Sequence, residues 1–242
     1  MKTRILLFLF FVLLVNSCKK ENETLLIQGN FTDTRDGRIY QTIKIDKQCW
    51  MAENLAYLPS VSPSSQGSET VPYYYVYDYQ GTDVVSAKQH PNYSTFGALY
   101  NWSAALQACP SGWHLPTDAE WTQLENYLAD NGYNYDGSEG GGRDKIAKSL
   151  ASAIHWNTST STGDVGNDLS QNNSSGFSAL PGGNRYYEWG SFNYLGNFGY
   201  WWSSTELSVT NTFYRSLNYN HSNVVFSNGR KDYGLSIRCV QN

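Results

Sequence analysis

The apolar positions divide the chain into stretches of different period. Over Ile39–Ile45 apolar and polar residues alternate and β-branched side chains dominate, the pattern of a half-buried strand. Asp46-Lys47 then turns the chain into a second short strand, Gln48–Met51. Over residues 97–108 the period lengthens. Leu99, Trp102 and Leu106 fall at i, i+3 and i+7, which predicts a helix with one apolar face. Pro110-Ser111-Gly112 ends it, residues 113–115 form a short extended run, and Pro116 keeps Leu115 out of the helical region. Thr117-Asp118-Ala119-Glu120 carries the spacing of a capping box. Trp121, Leu124 and Leu128 follow as the buried stripe of a second helix. Residues 144–154 suit a short third helix with Ile146 and Leu150 inward. From Phe177 the texture is β-like: pieces at 176–180, 199–204, 213–217, 224–226 and 235–240 alternate with Gly/Asn turns. Helices first and strands later predict an α+β domain of two to three helices, short antiparallel strands and long loops.

The N-terminus belongs to a different class of segment. Lys2 and Arg4 precede an unbroken apolar run at 5–15, right for a signal h-region and too short to span a membrane. Val15-Asn16-Ser17-Cys18 resembles a bacterial lipobox, which implies a mature chain beginning at a lipidated Cys18 and anchored by several acyl chains. The expected organisation is a lipoprotein signal peptide at 1–17, a tether at 18–28 and one domain at 29–242. Glu21 and Glu23 in the tether resemble the acidic surface-export tracts of some Bacteroidota lipoproteins; a plain solvated linker is the alternative. Residues 59–95 read as an insertion, with a Ser/Pro/Gly-rich loop and a tyrosine tract at 72–79. That tract suits a strand packing its rings on the domain, or else a recognition surface.

Composition narrows the function. The 242 residues contain 19 Tyr and 8 Trp, while charged residues make up only 16%, a profile common in secreted β-rich proteins. Removing Lys2 and Arg4 from the 17 basic residues leaves 15 against 21 acids, a mature net charge of −6. That balance excludes nucleic acid as a partner, which needs a basic face. Setting Cys18 aside leaves Cys49, Cys109 and Cys239, hence one disulfide and one spare thiol in an oxidising compartment. His90, His114, His155 and His221 are scattered, with no HExxH, GxSxG or CxxC pattern. Glu120, Glu188 and Glu206 sit beside aromatics and are the candidates for a glycoside-cleaving carboxylate pair, which makes a hydrolase the remaining alternative, but Glu120 is accounted for as a cap and His114 as a packing residue. No catalytic site is expected. Gly140-Gly142 follows a helix and lacks the Lys-Ser/Thr of a phosphate loop. The oxygen-rich stretch 157–175, with Asp164, Asn167, Asp168, Asn172 and Asn173, is a plain loop or a structural Ca²⁺ loop. No other metal or cofactor is expected. Tyr186, Tyr187, Trp189, Tyr194, Tyr200, Trp201 and Trp202 concentrate large amphipathic rings in one region. Stacking on sugar faces is the expected use, with one of Trp201 and Trp202 facing in and the other out.

Several stretches, in order, resemble the Fibrobacter succinogenes major paralogous domain family. They are Asp36-Gly37…Tyr40, the run from Trp50 to Leu55, the run from Gly97 to Trp102, Cys109-Pro110-Ser111-Gly112-Trp113-His114-Leu115-Pro116-Thr117…Glu120-Trp121, the run from Ser175 to Gly183, the run from Gly199 to Glu206, and the run from Gly234 to Val240. The resemblance implies an extracytoplasmic bacterial domain, often lipid-anchored, and no reaction. A weaker resemblance joins the order helix, cysteine, short strand, Leu-Pro-Thr-x-x-Glu-Trp helix to the C-type lectin-like fold and its formylglycine-generating relatives. Carried over, it implies a Cys109–Cys239 disulfide, with Cys49 a buried free thiol beside Trp50; the rival pairing is Cys49–Cys109. The Glu-Pro-Asn, Gln-Pro-Asp and Trp-Asn-Asp motifs of calcium-dependent lectins are absent, and the reactive cysteine pair of the formylglycine enzymes is not provided for. The expectation is therefore an outer-membrane lipoprotein, on the cell surface or the periplasmic face. It would act as a non-catalytic binding or adhesion module for a glycan, or else as a structural component with an envelope-protein partner. Ligand contacts are expected from Tyr187, Trp189, Tyr194, Tyr200, Trp201 and Trp202.

Overall fold

Strands β1 (Ile27–Thr32), β2 (Ile39–Ile45) and β3 (Gln48–Met51) open the domain as an antiparallel meander in a computed structural model that describes residues 27–242. The signal segment, Cys18 and the tether as far as residue 26 lie outside the described residues. Two-residue strand β4 (Tyr74–Tyr75), helices α1 (Val84–Gln89) and α2 (Pro91–Phe96) and strand β5 (Leu99–Tyr100) follow. Helix α3 (Trp102–Ala108), strand β6 (Trp113–His114), helix α4 (Asp118–Asp130) and the single turn α5 (Ala147–Leu150) complete the helical half. Strands β7 (Asn184–Arg185), β8 (Phe192–Asn193), β9 (Phe198–Glu206), β10 (Asn211–Asn218), β11 (Val225–Arg230) and β12 (Val240–Gln241) make up the rest. The described chain is thus α+β, with five α-helices where two to three were expected.

The C-terminus closes the first sheet. Val240 pairs with Trp50 on one side and His114 on the other, giving the order β1-β2-β3-β12-β6. A second sheet has the order β11-β10-β9, and β4-β5 and β7-β8 form two small ribbons. Strand alternation separates two cores. Tyr40, Met51, Trp202 and Cys239 face one, with Tyr100, Trp113 and Ile237. Ile43, Trp50, Trp201 and Val240 face the other, with Trp121, Leu124, Leu128, Ile146 and Phe177. Neighbouring residues on one strand point to opposite faces, and here both faces are covered.

Several expectations hold. Strands β2 and β3 have the bounds read from the pattern, and the capping box is complete. Thr117 Oγ1 accepts from the Glu120 N–H (3.2 Å), and Glu120 Oε2 accepts from the Thr117 N–H (2.8 Å). The disulfide joins Cys109 to Cys239, with a Cα–Cα distance of 5.9 Å and 130 residues between them. Cys49 is free and half-buried rather than fully buried, and burial raises its thiol pKa.

Other expectations need correction. The helix predicted over 97–108 begins only at Trp102, because the Asn101 side chain accepts from the Ala104 N–H (3.1 Å) and caps it there. Residues Leu99 and Tyr100 instead pair with the tyrosine tract. Leu106 is 49% exposed, and α3 packs Ala104, Ala105 and Ala108 inward, so a small-residue face replaces the expected large apolar stripe. The third helix shrinks to α5, although Ile146 and Leu150 are buried as expected. Residues 176–180 join no ladder beyond one bridge, Ala151 to Ala179. The tyrosine tract, by contrast, packs its rings on the domain as the first of its two readings had it, and residues 59–95 contribute Tyr74, Val76, Ala87 and Tyr93 to the first core. Strand β1 takes in the last residues assigned to the tether.

Candidate functional site

The β9–β10 pairing sets out the site. Along β9, Phe198, Tyr200 and Trp202 share one face. Trp202 is sealed in the first core, where its indole N–H donates to the Tyr100 carbonyl (2.7 Å). Tyr200, two residues back, sits at the edge of that core. The register places Ser216 opposite Tyr200 and Tyr214 opposite Trp202, and the Tyr200 and Tyr214 rings meet edge to face at 5.7 Å.

Strand β7 supplies the facing wall. Gly183 has φ 63°, and a Cβ there would lie 2.3 Å from the Asn193 carbonyl oxygen, so the tight β7–β8 approach requires glycine. Arg185 and Gly234 exchange both backbone hydrogen bonds (2.9 Å each), which sets Asn184 and Tyr186 beside Tyr233 and Leu235. The Arg185 side chain runs the other way and is buried. It donates to the carbonyls of Ser64 (2.8 Å) and Asp232 (2.7 Å) and stacks over Tyr75. Tyr194 closes the rim from the turn after β8. Its φ of 68° is unusual for a residue with a side chain, and Asn197 and Phe198 both donate backbone N–H bonds to its carbonyl (3.0 Å).

The result is a pocket of ≈ 200 Å³ walled by tyrosine rings, with Asn184 and Leu235 at its base. Asn184 is only 4% exposed, yet its Oδ1 has no hydrogen-bond partner among the described residues. Tyr186 and Tyr233 meet edge to face at 5.4 Å. Burial first, then the surrounding tyrosines, raises the pKa of Tyr200 and of Tyr233, so both stay protonated and can donate as well as accept. The hydroxyls of Tyr194, Tyr200 and Tyr214 donate to no described residue. No charged side chain lines the pocket. At its margin Arg230 stacks over Tyr187 (4.8 Å) and is neutralised by Glu69 (2.7 Å) and Asp232 (3.1 Å).

Of the expected ligand residues, Tyr194 and Tyr200 line this pocket, and Tyr187 flanks it, packed on Tyr186 (4.7 Å) and Tyr233 (5.2 Å). Trp189 stands apart at 79% exposed. Trp201 and Trp202 do not contribute. Both are buried, because β9 lies between the two cores, and Trp201 donates its indole N–H to Asn54 (2.9 Å). The expectation that one of them faces outward is wrong for that reason. Asn184, Tyr214, Tyr233 and Leu235 escaped the sequence reading. Tyr214 lay within an expected strand, but the pairing register that brings it to Tyr200 is not visible in the residues themselves.

Other polar centres are structural in geometry. His114 binds Glu120 Oε1 (2.7 Å) and Asn242 Oδ1 (2.6 Å), joining the α4 cap to the chain end. In the oxygen-rich loop the buried Lys148 ammonium donates to the carbonyls of Asp164 and Asp168 (3.3 Å each) and of Asn167. Burial lowers its pKa. A wider cleft of ≈ 460 Å³, lined by Gln41, Glu53, Ile154 and Ser178 among others, lies between β2 and the 173–180 loop.

Fold and site together define a disulfide-closed α+β domain that presents a preformed aromatic pocket among its loops. The chain belongs to the Fibrobacter succinogenes major domain family, whose model matches residues 43–241. Neither the curated proteins nor the solved structures contain a match to it.

Proposed function

We propose that the protein is a lipid-anchored extracytoplasmic binding module, non-catalytic, whose ligand is a glycan held in the tyrosine pocket. One observation carries the reading: a buried acceptor, Asn184 Oδ1, stands without a partner at the base of a neutral pocket of amphipathic rings. Buried polar groups in folded proteins are almost always paired, so an unpaired one on a residue that lines a cavity points to a ligand donor. The anchor and the outer-membrane address rest on the lipobox-like Ser17-Cys18. A C-type lectin-like arrangement is the finer reading of the fold. It is supported by the disulfide from the end of α3 to the residue before β12 and by the succession α3, β6, α4. The non-catalytic reading draws on the histidines, since His114 is tied to a helix cap and His90 caps α2. The loop at 157–175 is read as metal-free, because the Lys148 ammonium already occupies its carbonyl oxygens.

A protein partner in the envelope is the second reading, favoured by the exposed Trp189. A glycan array probed with the chain in detergent, compared with Tyr233→Ala, separates the two. Sugar hits lost in the variant support the glycan. No hit, together with co-purification of one envelope protein through Trp189, refutes it. Labelling with radioactive palmitate, abolished by Cys18→Ser, tests the anchor.

A further inference from the structure

We propose that the tyrosine pocket takes the terminal residue of a neutral glycan end-on, a sugar hydroxyl or amide N–H donating to Asn184 Oδ1. The proposal deepens the binding-module reading and rests on it. Three features of the pocket carry it.

The first is shape. Walls come from the residue after β7 (Tyr186), β9 (Tyr200), β10 (Tyr214), the segment before β12 (Tyr233) and the turn after β8 (Tyr194). The base is closed by Asn184 and Leu235, which are 4% and 1% exposed. At ≈ 200 Å³ the space suits one ring and is too small for two. An internal polysaccharide segment needs a groove with successive subsites; a pocket with room for a single ring suits an end.

The second is charge. Tyrosines, an amide and a leucine make up the lining, with no carboxylate or base. The one cation at the margin, Arg230, lies against Tyr187 and is already paired with Glu69 and Asp232. An ionic ligand would lose its water here without gaining a counter-charge, a heavy cost. The occupant is therefore neutral, and both acidic sugars and ammonium groups are disfavoured.

The third is the unmet hydrogen bond. Asn184 Oδ1 only accepts, so the ligand brings the donor. The hydroxyls of Tyr194, Tyr200 and Tyr214 are free to complete the polar contacts around the ring, while ring faces cover its apolar side. Walls locked by edge-to-face contacts and by the turn at Tyr194 are set before the ligand arrives, which limits the ordering cost of binding.

The experiment is calorimetry on the full chain in detergent. The probes are methyl glycosides of neutral hexoses and N-acetylhexosamines, the same residues at the non-reducing end of trisaccharides, and trisaccharides capped at that end by a sialic acid. The expected result is that one methyl glycoside binds within about threefold of the trisaccharide that ends in it, and that capping weakens binding at least about tenfold. Asn184→Leu should weaken glycoside and trisaccharide alike by about tenfold or more. Tyr194→Ala, a change at the half-exposed rim that leaves both cores intact, should weaken the same probes. Affinity that climbs with chain length and survives capping would overturn end-on capture while leaving a glycan-binding module in place. Silence from every neutral probe would overturn the glycan reading itself.

Discussion

Replacing Asn184 with leucine should make the unliganded protein more stable. The residue is 4% exposed and its Oδ1 has no partner among the described residues. A buried acceptor left unsatisfied costs about 1–3 kcal/mol. Leucine has nearly the same volume, suits a strand flanked by aromatic rings, and removes that cost while adding apolar contact with Leu235 and Tyr186, which line the same pocket. The expected net gain is about 1–2 kcal/mol, or roughly 2–6 °C in Tm for a domain of this size. Thermal unfolding followed by circular dichroism, without ligand, measures it directly. A bound ligand stabilises the wild type in proportion to the logarithm of its concentration over Kd. The variant should lose most of that dependence, so the two Tm curves cross as sugar is added. Stability and binding moving in opposite directions is the mark of a residue kept for function. If Asn184→Leu instead loses more than about 1 kcal/mol without ligand, the oxygen is satisfied within the folded protein and the pocket argument fails.

Replacing both Cys109 and Cys239 with alanine opens a loop of 130 residues. Chain entropy then predicts a loss of up to about 5 kcal/mol in urea unfolding followed by tryptophan fluorescence, and a loss below about 1 kcal/mol contradicts it. Lys148→Met should cost about 3 kcal/mol by orphaning the carbonyls of Asp164, Asn167 and Asp168. Millimolar Ca²⁺ should leave the wild-type Tm unmoved; a rise would show that the loop takes metal after all. Burial raises the pKa of Glu120, but hydrogen bonds from the Thr117 N–H, the Thr117 hydroxyl and His114 outweigh it and hold the group below its ordinary 4.5. A depressed carboxylate pKa gives stability that is present above 4.5 and lost as pH falls through the lower, folded value. Glu120→Gln should therefore cost about 1 kcal/mol at neutral pH, with the gap to wild type narrowing as pH falls below 4.5 in urea titrations.

What the residues disclose of the fold depends on how local the cause is. The capping box at Thr117–Glu120 is a contact between residues three apart, and it was legible along with the stripe Trp121, Leu124, Leu128. The Ile39–Ile45 alternation was legible for the same reason. Helix α3 was misread because its start is decided by Asn101, which accepts from the Ala104 N–H and also from the Tyr73 N–H across the β4 ribbon (2.8 Å), a contact between distant parts of the chain. The site suffered more. Asn184, Tyr200, Tyr214 and Tyr233 are brought together by strand register and by the Arg185–Gly234 pairing, and neither leaves a periodic trace in the sequence. Aromatic density pointed to the right region but could not tell a ring that seals a core from one that lines a pocket.

Trp201 and Trp202 explain why that distinction is built into one strand. β9 has no solvent face at this point: its two sides belong to two cores, and each indole N–H finds a buried acceptor, Asn54 for Trp201 and the Tyr100 carbonyl for Trp202. Asn54 also accepts from Arg238 Nε (3.0 Å), the residue directly before the disulfide cysteine Cys239. The same segment runs beside β9, where the Trp202 N–H donates to the Ser236 carbonyl (3.2 Å) and the Ser236 N–H to the Tyr200 carbonyl (3.1 Å). The staple, the buried arginine and the paired tryptophans therefore fix the inner part of β9 rigidly. Tyr200, two residues outward on the face of Trp202, inherits that rigidity. A ring held this way loses little freedom when a ligand arrives, so the packing that removes Trp201 and Trp202 from recognition is what prepares the tyrosines beside them for it.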